Sequence, residues 1–387
     1  MTIRHIDVAG DLAAEPPVVG DEFLVLWYGD WPVGQLRGRD TAGPAARLRD
    51  RVPDDVLARA AAGAALERAG RPPDGRKVSV VICTRDRAED LARCLAALPG
   101  QTRVPDQVVV VDNASRDDGR TRAVALAAGV NYVREDRPGL DIARNRGVRT
   151  AIGDIIAFTD DDVRLHPRWL ERMAAAFDRD HVLAVTGLVL PAELETAAQL
   201  HFETYWGFGR GYRPIDFGAE FFRTDRTRGC PAWEIGAGAS MAFWRETFRR
   251  AGMFDERLDV GAAGCSGDSE YWHRVLFHGG TCRYEPAAAA FHYHRRDFAG
   301  LSRQITAYMR GHAAALLVQY ERSGNLGSLR RAMATVPAWY ARRWLRTLRG
   351  RAERDVLLVE ETRGFVSGLL FYLRTPRPYH ASLDQEP

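Results

Sequence analysis

One stretch constrains this chain more than any other: Asp154–Val163, which reads D-I-I-A-F-T-D-D-D-V. Ile155, Ile156, Phe158 and Thr159 are strand formers in a short apolar run, the pattern of a buried strand. Asp160, Asp161 and Asp162 follow without a break. In an open α/β sheet, ligands bind just beyond the carboxyl ends of the strands. Crowded carboxylates repel one another unless a cation lies among them, and hard divalent cations take such oxygen ligands. A solvated acidic loop or a helix N-terminus before Pro167 would explain the run equally well on its own. The flanking residues decide between the two.

They set up a regular alternation. Val78–Cys83 is a continuous apolar strand, and Thr84-Arg85-Asp86 turns the chain into a helix with Leu91, Cys94, Leu95 and Leu98 at helical spacing. Asp86 followed by Glu89 resembles a capping box. A strand is expected at Gln107–Val111, ending in Asp112-Asn113, then a helix over Asp118–Ala128 and a strand at Asn131–Arg134. A helix at Gly139–Ala151 leads to the aspartate-tipped strand. This rhythm means a doubly wound, mostly parallel sheet. It is not an ordinary dinucleotide fold, because the first strand-to-helix turn, C-T-R-D-R-A-E-D, has no glycine to let the backbone wrap a pyrophosphate. A P-loop is excluded for the same reason.

Downstream, a helix at Pro167–Phe177 and a strand at Val182–Leu190 precede an aromatic-rich segment that includes His201, Phe202, Tyr205, Trp206 and Phe208. Such residues serve more often as core than as a stacking platform for a sugar. Gly236-Ala237-Gly238-Ala239 runs small residues into a strand, which permits close approach to a ligand. Gly264–Asp268 enters the helix Ser269–His278, where Asp268 and Glu270 stand either as functional groups or as plain caps. Thr281–Glu285 reads as a strand, with His292-Tyr293-His294 beyond it.

Composition excludes several classes. In 387 residues the net charge is only +3, and Lys77 is the single lysine, so the many arginines read as the usage of a GC-rich genome and not as a nucleic-acid footprint. Five scattered cysteines without a C-x-x-C argue for a reducing compartment. The N-terminus lacks an apolar leader and no apolar run reaches membrane-spanning length, so a cytoplasmic protein is expected. Residues 1–76 read as an appendage: a hairpin of Glu22–Tyr28 and Val33–Arg37 about Gly29-Asp30, a helix at Asp55–Ala69, and a linker at Arg71–Gly75. Residues 299–387 are helical and arginine-rich. There Trp339, Tyr340, Trp344 and Leu345 interleave with Arg342, Arg343 and Arg346, suited either to an anionic membrane surface or to simple packing.

Taken in order, S-V-V-I-C-T-R-D-R, V-V-V-D-N-A-S, R-P-G-L-D-I-A-R-N-R-G, F-T-D-D-D-V, M-F-D-E, S-G-D-S-E-Y and F-H-Y-H-R-R make residues 77–298 resemble an inverting glycosyltransferase of family 2 with the GT-A fold. The resemblance implies a nucleotide-sugar donor, a hydroxyl acceptor of unknown type, and Mg²⁺ or Mn²⁺. It implies that Thr84 and Asp86 line the nucleotide pocket and that Asp112 accepts from the base. Arg144 and Asn145 would lie near the donor, with Asp160 on the ribose and Asp161 beside it. It implies that Asp162 binds the metal, unless the register shifts that role to Asp161, and that His292 or His294 completes the site. Asp268 matches the catalytic base, although Gly267 precedes it where the family has an acid. The chemistry asks for the same parts: a cation for the diphosphate leaving group and a distant carboxylate for the acceptor's proton. A sugar nucleotidyltransferase is the nearest rival, but it wants a glycine-rich, lysine-bearing first loop. A non-catalytic relative would be expected to lack the aspartates.

Overall fold

The computed structural model describes residues 1–13, 15–70, 75–224, 229–350, 356–376 and 383. The N-terminal residues form a separate three-stranded sheet of β1 (Thr2–Asp7), β2 (Glu22–Tyr28) and β3 (Trp31–Arg37), followed by α1 (Asp54–Ala69). The β2–β3 hairpin is the expected one. Strand β1 was not anticipated, because it pairs in parallel with β2 across a long connection and carries little alternation of its own. Of the expected linker, residues 71–74 lie outside the described residues. This unit docks on the main domain through Glu67, which pairs with Arg172 at 2.9 Å, and through Trp27, stacked on His166 at 5.3 Å.

The main sheet uses β4 (Val78–Thr84), β5 (Gln107–Asn113), β6 (Asn131–Glu135), β7 (Ile155–Asp160), β8 (Val163–Leu165), β9 (Val182–Pro191), β10 (Ile215–Phe217), β11 (Ser240–Trp244) and β12 (Thr281–His292). Their order is β10-β12-β9-β11-β7-β4-β5-β6, with β8 on β12. The half built from β7, β4, β5 and β6 is parallel, and antiparallel β11 joins it to β9. Side chains alternate across the pleat. Val81, Val109, Val111, Ile156 and Phe158 enter one apolar cluster, while Val80, Ile82, Val110, Ile155 and Ala157 enter the other. Both faces are buried, which is why these strands read as continuous apolar runs.

Helices α2 (Ala88–Ala96), α3 (Arg120–Ala127), α4 (Leu140–Thr150) and α5 (Trp169–Ala175) fall near their expected places. The expected capping box at the first of them does not form. Asp86 sits at φ 55° and its carboxylate accepts from the Arg116 N–H, so α2 starts without a side-chain cap. Strand β12 is much longer than Thr281–Glu285. A register shift between Glu285 and Ala289 carries the chain past Pro286, whose missing N–H would otherwise break the ladder, and pairing with β9 continues to His292.

The aromatic segment folds into α6 (Ala197–Trp206), capped by Thr196 and Gln199, and places Phe202 and Phe217 in the interior. After α7 (Gly267–Phe277) come α8 (Phe298–Ser323), α9 (Val336–Leu348) and α10 (Leu358–Arg374). Helix α8 lies directly on the loop before α7: a Cβ on Gly311 would stand 2.3 Å from the Cys265 carbonyl oxygen. No helix of the described residues is long and apolar enough to cross a membrane.

Candidate active site

Parallel pairing aligns Cys83 with Asp160 and Thr84 with Asp112, so three strands end their ladders on one edge and present polar side chains there. The next turn of chain folds back into the site. Thr84 Oγ1 donates to Asp161 at 2.7 Å, and Arg87 Nη1 donates to Asp161 (3.0 Å) and Asp162 (2.9 Å). Asp162 also faces His292 Nε2 at 3.3 Å. These groups open into a cavity of about 1080 Å³.

Thr84, Arg144, Asp160, Asp161, Asp162, Asp268 and His292 all line that cavity, so it gathers most of the residues singled out from sequence. Four others do not line it. Asp112 is buried and accepts from Tyr132 Oη (2.7 Å), Arg134 Nη1 (2.9 Å) and Ser115 N–H (3.0 Å). Asp86 ties the first loop to the second through Ser115 and Arg116. The Asn145 side chain donates to the Phe254 carbonyl and accepts from the Phe254 N–H, locking the loop after residue 252 to α4. His294 meets His292 ring to ring, Nδ1 to Nδ1 at 3.0 Å, and Glu203 at 3.2 Å, so it orients His292.

Opposite the aspartate run, Asp268 is held by the Gly238 N–H at 2.8 Å and by the Ser269 N–H at 2.6 Å. Gly238 is required for this approach, since a Cβ there would lie 2.9 Å from Asp268 Oδ2 and 3.0 Å from Arg144 Nη2. The close approach expected at this glycine is therefore to side chains of the protein itself. Neither acid on α7 is a plain cap: the N-cap is Ser266 at φ 73°, without a side-chain bond. Glu270, the other acid on α7, is fully buried and paired with Arg274 and Arg322, away from the cavity wall.

Burial and carboxylate crowding dominate the electrostatics. Burial first, then Asp162, pushes Asp160 up to about 6 and Asp161 up to about 7. Burial also works against ionising Asp162, but His292 and Arg87 overcome it and hold that carboxyl below the usual range. Asp268 is raised by burial and then by Asp259, with Arg144 opposing. His294 is driven down to about 3 by burial and by His292, and stays neutral.

In kind and charge, Asp160–Asp162 and His292 fit a hard divalent cation. They are not gathered about a common point: among the described residues no three His, Cys, Asp or Glu groups converge as ligands, and Arg87 bridges two of the carboxylates.

Residues 79–238 match the model of the family described as Glycosyl transferase family 2. That stretch is a family 2 glycosyltransferase domain. A glucosyl-dolichyl phosphate glucuronosyltransferase of Haloferax volcanii is 26% identical over 191 residues, 46% of this chain and 56% of that protein. A pre-mycofactocin glycosyltransferase of Mycobacterium tuberculosis is 29% identical over 261 residues, 65% of this chain and 50% of that protein. The chain thus spans about half the length of these curated relatives. A mannosyltransferase from Pyrobaculum calidifontis, solved with GDP-Man and Mn²⁺, shares the fold with a TM-score of 0.53 at 18% identity, covering 80% of this chain and 92% of that one. The fold is the GT-A arrangement implied by the motifs, with a helical region after it. The family 2 match ends at Gly238, so Asp268 and His292 lie beyond it.

Sequence reasoning missed several groups that shape the cavity. Arg87 is the clearest, and its signal was available: it closes the C-T-R-D-R turn at the strand edge facing the aspartates. Asp141 precedes Arg144 by three residues on α4 and pairs with it at 2.9 Å, a spacing that predicts such a pair. Asp259, 2.6 Å from Arg144, and Glu203, beside His294, carry no local signal.

Proposed function

We propose that the protein is a metal-dependent, inverting glycosyltransferase that moves a sugar from a nucleoside-diphosphate sugar to an acceptor hydroxyl. One observation carries the reading: a single cavity joins the Asp160–Asp162 run at the sheet edge to a separate carboxylate, Asp268, at the start of α7. The donor end is assigned to Thr84, Arg144, Asp160 and Asp161, with Asp86, Asp112 and Asn145 shaping the loops behind it. Asp162 and His292 would hold Mg²⁺ or Mn²⁺, with His294 fixing the His292 ring; Arg87 would release Asp162 to make room. When bound, the cation would neutralise charge on the departing diphosphate.

Transfer is then a single displacement. The acceptor oxygen bonds to the anomeric carbon as the bond from that carbon to the diphosphate oxygen breaks. The electron pair leaves on the nucleoside diphosphate, and the acceptor's proton passes to Asp268. A raised carboxyl pKa suits this, because a more basic carboxylate takes the proton more readily. Attack opposite the leaving group inverts the anomeric centre. The GDP-Man and Mn²⁺ of the Pyrobaculum relative support a nucleotide sugar and a cation as ligands. Residues 299–387, with exposed Leu345 and Leu348 beside Arg342 and Arg346, favour a protein that rests on a membrane surface from the cytoplasmic side.

A panel of UDP-, GDP- and dTDP-sugars, read by thermal shift with and without Mn²⁺, tests the donor. One nucleotide class should stabilise the protein, and only with the cation. Product anomeric configuration by NMR tests inversion. No stabilisation by any nucleotide sugar, or retention at the anomeric carbon, overturns the reading.

A further inference from the structure

The cavity has a second end, built by the C-terminal helices. Helix α8 contributes Arg303, Gln304, Tyr308 and His312, and α9 contributes Trp339 and Arg342. Trp206 and Trp233 line this end with them, Trp206 6.2 Å from the Tyr308 ring and Trp233 against His312. The two ends differ in balance: at the first, Arg87, Arg144 and Arg295 stand among carboxylates, and the second has no acid. The acids lining the cavity are Asp160, Asp161, Asp162, Asp259 and Asp268, all around the transfer chemistry, and the C-terminal helices add none. They add Arg303, Arg331 and Arg342 instead.

Among the described residues neither Arg303 nor Arg342 makes an ion pair or a hydrogen bond. Arg331 lies 4.2 Å over the Trp233 ring, and Trp233 stands edge-on to His312 at 4.9 Å. Burial and then Arg331 push His312 down to about 3, so it adds no charge. The Gln304 side chain donates to Tyr308 Oη at 2.9 Å, which leaves its buried carbonyl oxygen without a partner and able to accept from a ligand. Between these polar groups the wall is apolar: Trp206, Trp233, Met309, Val336 and Trp339. Trp339 is 44% exposed at the mouth, and the same helix continues outward with exposed Leu345 and Leu348.

A guanidinium pair over an aromatic and aliphatic wall recognises a phosphate-type head joined to an apolar body. We propose that α8 and α9 form the acceptor subsite, and that its ligand is an anionic amphiphile of this kind. The assignment rests on the transferase reading for the word acceptor, but the chemistry of the subsite is independent of it. A phosphate head held by Arg303 and Arg342 leaves the apolar body against Trp339 and the apolar wall beside it. The same chemistry can come from a lipid lying in a membrane or from a small soluble organophosphate.

The test uses the full chain saturated with Mn²⁺ and the nucleoside diphosphate that stabilises it, so that the donor site is blocked. Calorimetry compares hexyl phosphate with hexanol, for the wild type, Arg303→Gln/Arg342→Gln and Arg303→Lys/Arg342→Lys. The wild type should prefer hexyl phosphate by about tenfold or more. The glutamine pair should lose that preference while keeping its affinity for the nucleoside diphosphate, and the lysine pair should recover part of it. Flotation with phosphatidylcholine vesicles, with and without a dialkyl phosphate, identifies the source. Retention only on the doped vesicles supports the subsite with a lipid ligand; hexyl phosphate binding without retention supports it with a soluble one. Equal affinity for hexyl phosphate and hexanol, or a preference that survives in the glutamine pair, overturns the inference. Arginine-dependent binding of hexyl phosphate in a protein that binds no nucleoside diphosphate would support the subsite and remove the transferase reading instead.

Discussion

Two clusters of buried charge share helix α7 and follow different rules. In the first, Glu270 and Arg274 meet Asp255, Arg257, Glu321 and Arg322, three carboxylates against three guanidiniums. Their contacts run from 2.8 to 3.3 Å and tie the loop after residue 252 and helix α8 to α7. In the second, Asp268 joins Asp141 and Asp259 around the single guanidinium of Arg144, and the Asp160–Asp162 run lies next to it. The balanced cluster overcomes burial and holds Asp255 below the usual carboxylate range, through Arg257 and Arg322. The surplus cluster leaves burial dominant, and Asp141 and Asp268 rise. A cluster that satisfies itself is glue. One with surplus carboxylate has capacity left for a cation or a proton, and it is the one that faces the cavity.

The largest effect should come from the surplus. Chelation by EDTA should reduce sugar transfer to background, and Mn²⁺ should restore it in the wild type but not in Asp162→Ala. Product formation is the measurement. Full activity in EDTA would mean that Arg87 and His292 already satisfy the run, and the contrast would be only one of arithmetic.

Next, Asp268→Asn should lower transfer by about 10²–10⁴-fold while donor affinity stays near wild type. The pH profile sharpens the point. A base works only when deprotonated, so the wild-type rate should rise with pH to a plateau, with its limb above the ordinary carboxylate value of about 4. The residual rate of Asp268→Asn should lack that limb. Stability should move the other way. A carboxyl whose folded pKa is raised contributes stability below its unfolded pKa and loses it as pH rises through the folded one. Asp268→Asn should therefore unfold no more easily than wild type at neutral pH.

The balanced cluster should give the converse result. Asp255→Asn breaks ion pairs of a buried carboxylate and should cost about 3–5 kcal/mol in denaturant unfolding, while kcat per folded molecule stays near wild type. The Asp255 carboxyl is depressed on folding, so its contribution is present above its unfolded pKa and fades as pH falls through the folded one. A stable but inactive Asp255→Asn would merge the two clusters into one functional network.

Much of this was legible beforehand because it is local. The apolar runs of β4, β5 and β7 and the turns that follow them are set within a few residues, and the strand-edge aspartates come with them. The Asp86 cap failed because its carboxylate was claimed by Arg116, thirty residues away. Strand β12 was cut short at Pro286 because a bulge that rescues a proline is a property of the pairing with β9.

By itself, then, the sequence determined the alternation of strands and helices, and with it the acidic edge that a parallel sheet must present at its strand ends. Only the tertiary structure decided how many guanidiniums each carboxylate meets. Arg144 finds Asp259 across 115 residues and Arg257 finds Glu321 across 64, and no periodicity within a helix or strand encodes such partners. The same holds for the arginine-rich tail. Its composition suited a membrane surface or plain packing, and its place over the cavity follows from α8 resting on the backbone at Cys265, a contact made possible by the missing side chain of Gly311. Pairing and docking depend on which surfaces are brought together in space, and that information is spread over the whole chain.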